Sequence, residues 1–185
     1  MSAVRHRYAA LLRGIAPSGR NMTNDKLRGV FEGLGFEDVA SVLASGNIVF
    51  RSGETDVPAL ERRVEAALAS ELGLSSRTII RGHPELRALL DSDPFPGLTH
   101  GRGTYLTATF LKDATPPTVP VPGQSDALTQ FVRYDPAARV VLAVIDTSDP
   151  GRASRFMASL EKACGRDITT RSWLTVQRIV RKLES

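Results

Sequence analysis

Between Tyr8 and Arg51 the spacing of apolar residues changes character several times, and the order of those changes limits the fold more than any other feature. Tyr8-Ala-Ala-Leu-Leu12 is a continuous apolar run halted by Arg13-Gly14, as in a short buried strand. A loop to Thr23 follows, punctuated by Gly14, Pro17 and Gly19, residues that interrupt regular structure. Leu27, Val30, Phe31 and Leu34 then recur at helical spacing. Thr23 or Asn24 is suited to cap that helix, and Gly35 to end it in a left-handed conformation. Val39–Leu43 and Asn47–Arg51 read as two strands of a hairpin closed by Ser45-Gly46.

The chain continues in the same grammar. Asp56 caps a second helix with Pro58 in its first turn, Leu60, Val64, Ala67, Leu68 and Leu72 form its apolar stripe, and Gly73 stops it. Arg77-Thr-Ile-Ile-Arg81 is a β-branched strand, and 84–91 a short helix. The order β-α-β-β-α-β predicts an antiparallel four-stranded sheet with two helices on one face, the ferredoxin-like arrangement. After Asp93-Pro-Phe-Pro-Gly97 the pattern returns. Tyr105–Leu111 alternates, with Leu106, Ala108 and Phe110 on one face. Pro116, Pro117, Pro120 and Pro122 forbid a regular helix where the first half has one. A hairpin spans Asp135-Pro136, and Asp149-Pro150 opens a helix ended by Gly165. Ile168 and Thr169 make a minimal strand, and Ser172 caps a last helix with Trp173, Val176, Val180 and Leu183 facing inward. The predicted fold is α+β: two tandem ferredoxin-like (βαββαβ) halves, 1–92 and 93–185, each followed by an extra helix. The two halves form either separate units or one integrated domain.

No apolar run approaches the roughly 18 residues needed to span a membrane, and Met1-Ser-Ala-Val-Arg-His-Arg7 lacks the apolar core of a signal peptide. Cys164 is the only cysteine, which excludes an internal disulfide and a cysteine metal cluster. Its place on an apolar helix face reads as a small buried hydrophobe. A cytoplasmic location is expected, with no membrane partner. The net charge of +4 is uneven. Residues 1–30 hold six basic residues and one acid, residues 150–185 eight and three, and the middle is net negative. Two basic ends form one electropositive patch if the fold brings them together, and otherwise are solvated helix faces.

Few motifs carry chemistry. Gly14-Ile-Ala-Pro-Ser-Gly19-Arg20-Asn21 resembles a phosphate loop in spacing, but Asn21 lacks the hydroxyl that holds Mg²⁺, and a β-α-β-β order does not build the parallel sheet such a loop needs. A weaker expectation stands: loop N–H groups, Arg13 and Arg20 beside a helix start suit an anion, as do Thr170, Arg171 and Ser172 at the last helix. The rival reading is structural, with glycines permitting turns. Sheet-based RNA binding needs aromatics on the central strands, where only Tyr8 and Phe50 are available. His6, His83 and His100 are too dispersed for a zinc set, so no metal and no cofactor are expected.

Five stretches taken together resemble the bacterial domain-of-unknown-function family 1697: Leu11-Leu-Arg-Gly-Ile15, Gly19-Arg-Asn21, Leu34-Gly-Phe36, Ser45-Gly-Asn47, and Thr169-Thr-Arg-Ser-Trp-Leu-Thr175. The resemblance implies an α+β fold of two related halves and no established activity. It also marks departures. The family usually carries amides where this chain has Ala16, Ala44, Ser172 and Leu174, while Arg13, Asn21, Ser45, Asn47, Thr170 and Arg171 are retained. The functional expectation is a non-catalytic binder of an anionic ligand, a phosphate-bearing small molecule or nucleic acid, using Arg13, Arg20, Asn21, Ser45, Asn47 and Arg171. The alternatives are a small enzyme acting on a phosphorylated metabolite in a cleft between the halves, and a homodimeric interaction protein.

Overall fold

The structure, a computed structural model, describes residues 4–113 and 129–185. The chain is mixed α+β, with two four-stranded antiparallel sheets. It divides into two compact units, Met1–Arg87 with Arg178–Ser185, and Ala88–Gln177. The proline-rich stretch around Pro116–Pro122 lies outside the described residues.

In the first unit β1 (His6–Leu12) is followed by α1 (Asn24–Gly33), β2 (Glu37–Ser41), β3 (Asn47–Ser52), α2 (Val57–Leu72), β4 (Thr78–Gly82) and the start of α3 (His83–Asp91). The strand order is β2-β3-β1-β4. β1 is central because its run from Tyr8 to Leu12 is buried throughout, whereas Glu37-Asp-Val-Ala-Ser41 has no fully buried residue and takes an edge, where charge discourages stray pairing. Thr23 caps α1 by accepting the Lys26 N–H, and Asp56 caps α2 by accepting the Ala59 N–H at 3.0 Å. Gly73 ends α2 at φ 67°. Leu27, Phe31, Leu60, Val64 and Leu68 pack with Ile48, Phe50 and Ile80 in one core, where Phe36 stacks on Phe50 at 4.5 Å. Tyr8 belongs to the same core, so neither Tyr8 nor Phe50 is placed to stack on a base.

The alternate residues Ala9, Leu11, Val49, Ile79 and Arg81 are also buried, so both faces of this sheet are shielded from water. β4, the second edge, is sealed by helix α2. Glu61 Oε1 accepts the Ile80 N–H and Glu65 Oε1 the Thr78 N–H, each at 2.9 Å. Two carboxylates one helical turn apart thus satisfy donors on alternate strand residues, which an edge otherwise leaves open.

The second unit holds β5 (Tyr105–Leu111), β6 (Thr129–Asp135), β7 (Val140–Ile145), α4 (Arg152–Cys164), β8 (Ile168–Ser172) and the first part of α5 (Trp173–Leu183). Its strand order, β6-β7-β5-β8, is that of the first sheet with each label advanced by four. Leu111, Val141, Ala143, Ile145, Phe156, Leu160 and Ile168 form its core. Trp173 packs edge-on against Phe95 at 5.3 Å, a core role. Burial pushes the Cys164 thiol up, as a small hydrophobe beside that core requires.

β2 starts at Glu37 and ends at Ser41 rather than spanning Val39–Leu43, and two further boundaries differ from expectation. Helix α4 starts at Arg152 rather than at Asp149-Pro150, because Gly151 adopts φ 81° and breaks the turn. Asp149 instead receives the Arg155 guanidinium at 2.6 Å. β8 is a full five-residue strand, since it pairs along β5 from Leu111 to Thr107.

Candidate anion-binding clefts

Five of the six residues singled out by sequence gather at one end of the first sheet. The Leu12 N–H donates to Gly46 O at 2.8 Å, which draws the loop after β1 and the β2–β3 turn together. Arg13 continues the chain there, half-buried, its N–H on Arg77 O at 2.9 Å and its carbonyl accepting the Ser76 hydroxyl at 2.8 Å. Arg20 is exposed on the loop. Asn21 adopts φ 61°, donates to Leu72 O at 3.1 Å and accepts from Lys26 Nζ at 2.7 Å. Asn47 is buried, and its amide donates to Val42 O at 2.9 Å and Ser45 Oγ at 3.1 Å. Both asparagines therefore use their amides to hold backbone in place. The sixth residue, Arg171, lies in β8 of the second unit. It is buried and donates to Thr169 Oγ1 at 2.7 Å and Thr170 O at 3.0 Å, and burial pushes its guanidinium down to about 10.

Sequence reasoning passed over a different cation cluster in the first unit. β1 and β3 pair antiparallel with Arg7 directly opposite Arg51. Because Leu12 N–H bonds Gly46 O, alternation along the ladder puts Arg7 and Arg51 in a non-hydrogen-bonded pair, the type whose side chains come closest. Asp38 Oδ2 meets Arg51 Nε at 3.0 Å. From the end of α5, Lys182 lines the same cleft of about 360 Å³. A second cleft of about 390 Å³ is lined by Ser41, Leu43, Arg178 and Arg181, and both clefts include Lys182 and Ser185. Among the described residues no carboxylate pairs with Arg7, Arg178, Arg181 or Lys182. Residues from the two basic ends of the chain thus meet here, Arg7 from one and Lys182 from the other. The uneven charge was the one signal in the sequence. The register that opposes Arg7 to Arg51 left no mark in it.

Five cationic side chains and one carboxylate side chain, that of Asp38, line the two clefts, and no histidine or cysteine does. Among the described residues no three His, Cys, Asp or Glu side chains converge to hold a metal ion, and no helix is long and apolar enough to cross a membrane.

A mixed α+β chain with such clefts falls in a class defined by fold and not by reaction. Residues 5–130 match the family described as protein of unknown function (DUF1697), and the chain belongs to that family. In three dimensions it is similar to the conserved bacterial protein SP0830 from Streptococcus pneumoniae, at 21% identity and a TM-score of 0.71 over 97% of this chain and 99% of that one. At that identity the likeness concerns the fold alone. No curated protein sequence matches the chain.

Proposed function

We propose that this protein is a non-catalytic binder of an anionic, phosphate-bearing ligand, and that Arg7, Arg51 and Lys182 hold it. The observation that carries this reading is the direct opposition of Arg7 and Arg51 across two paired strands. Like charges so placed destabilise a sheet, and Asp38 offsets only one of them. An oxyanion between the guanidinium groups removes the repulsion and gains charge-assisted hydrogen bonds. A cleft of about 360 Å³ suits a small ligand. In this reading Asn21, Ser45 and Asn47 brace the loop and turn, Arg171 is structural, and Arg13 and Arg20 are a secondary basic site at the loop. We also read each unit as ferredoxin-like and the pair as a duplication. The shared strand order supports this, as do matching registers: Ala9 and Ala108 face Val49 and Leu142 on one side, Arg81 and Arg171 on the other.

The test is calorimetric titration of the full chain with inorganic pyrophosphate and with AMP. Binding that is lost in R7A/K182A and kept in R13A/R20A supports the cleft. Binding lost only in R13A/R20A moves the site to the loop, and binding of neither ligand rejects the reading.

A further inference from the structure

Resting on that reading, we infer that the ligand is a strand of single-stranded nucleic acid running through both clefts, with a base against Leu43. Arg178, Arg181 and Lys182 stand at i, i+3 and i+4 on one face of α5, and Lys182 joins their cleft to that of Arg7 and Arg51. A terminal phosphate carries about two charges, too few to engage five cations spread over two clefts. A phosphodiester chain engages them in succession.

Leu43 separates nucleic acid from other polyanions. It is one of the few large apolar side chains left exposed, at 44%, and it lines the second cleft beside Arg178 and Arg181. Its backbone adopts φ 60°, which is unfavourable for a bulky L-residue. Asn24 Nδ2 bonds Leu43 O at 2.9 Å and holds the turn in place. Strain of this kind persists only where the surroundings enforce it. An apolar surface next to guanidinium groups has nothing to gain from polyphosphate or a sulfated sugar. It suits an unpaired base, which packs on apolar or guanidinium planes and needs no aromatic consensus. A duplex keeps its base faces stacked inside and offers Leu43 nothing.

The experiment is fluorescence anisotropy of the full chain with a labelled single strand of about twelve nucleotides, its duplex, and AMP and tripolyphosphate as competitors. Four unpaired cations on a single strand predict about fiftyfold weaker binding on going from about 50 to 200 mM salt. R178A/R181A should lose most of the affinity for the strand and keep that for AMP. Leu43→Asn retains a residue that tolerates the left-handed backbone and removes the apolar surface. It should weaken the strand about tenfold and leave tripolyphosphate unchanged. If AMP binds and the strand binds no tighter, or the duplex binds as well as the strand and Leu43→Asn has no effect, this inference falls while the anion-binding reading stands. If neither AMP nor the strand binds, both fall.

Discussion

Arg81 and Arg171 occupy the same position in two sheets. Each is the fourth residue of a five-residue strand, and each lies directly opposite an alanine of the central strand, Ala9 or Ala108. Both are buried, Arg81 completely, and each donates to the carbonyl of its preceding residue, Ile80 O at 2.8 Å and Thr170 O at 3.0 Å. The small alanine leaves room for the long side chain on that face.

These arginines should govern stability. Arg81→Ala is expected to cost about 3 kcal/mol in urea unfolding, because it leaves buried partners unsatisfied and a cavity. Lys should not rescue it, since an ammonium cannot reproduce the planar fork. At Arg171 burial lowers the guanidinium from its ordinary value to about 10, so the charged form costs the folded state about 3 kcal/mol. For a base with a lowered folded value, that cost is constant below about 10 and is relieved only as pH rises from there toward the ordinary guanidinium value. The residue therefore contributes no slope to stability in the neutral range. Arg171→Met, which keeps length without charge, should be more stable than Arg171→Ala. Equal midpoints would show that the length of the side chain contributes no packing there.

Gly46 and Gly14 both have φ 76°, yet they should respond differently to Ala. A Cβ at Gly46 would lie 2.8 Å from Ile15 Cγ1 and 3.1 Å from Leu12 Cβ, whereas one at Gly14 meets nothing within 4 Å. Gly14→Ala bears only the left-handed backbone penalty, about 1 kcal/mol. Gly46→Ala adds a steric clash between the loop and the turn and should lose about 2–3 kcal/mol. Thermal denaturation of the pair checks the difference.

Removing Glu61 should expose an edge. Glu61→Ala leaves the buried Ile80 N–H without its acceptor, at about 2 kcal/mol. Because β4 then presents an unpaired donor, the variant should also aggregate faster on heating, visible as light scattering before the unfolding transition. Glu61→Gln, which keeps an acceptor oxygen, should restore most of both properties.

The end of α5 should loosen in acid. Glu184 accepts a hydrogen bond from His83 Nε2 at 2.9 Å and lies 3.5 Å from Arg87 Nη1. The His83 bond first, and Arg87 second, hold the Glu184 carboxyl below its ordinary value of 4.5. A carboxyl lowered in the folded state stabilises above its ordinary value and loses that contribution as pH falls through the folded one. Glu184→Gln should therefore lower the unfolding midpoint at neutral pH, and the difference should shrink as pH falls through the lowered folded value. A difference that persists in acid would show that the ion pair is not its source.

Much of the fold was legible because local chemistry dictated it. Thr23 and Asp56 cap helices as their side chains suggest, Gly35 and Gly73 take the left-handed backbone they permit, and the central strands read as apolar runs. The site was less so. Asn47 was expected to contact a ligand, and its amide donates to Val42 O and Ser45 Oγ, a pairing the sequence did not announce. The burial of Arg81 was not legible, because alternation names two faces without saying that both are buried. The opposition of Arg7 and Arg51 depends on register, set by the turn forty residues away from one partner and a few from the other. No local pattern records such a pairing.

The membership of Arg178–Ser185 in the first unit has a consequence for synthesis. Leu183 is buried, and Lys182 completes a cleft with Arg7 and Arg51. The ribosome must add residues 88–177 before that segment exists, a delay of roughly five to twenty seconds at about 5–20 residues per second. Throughout that interval the first unit waits, incomplete, for its own closing segment.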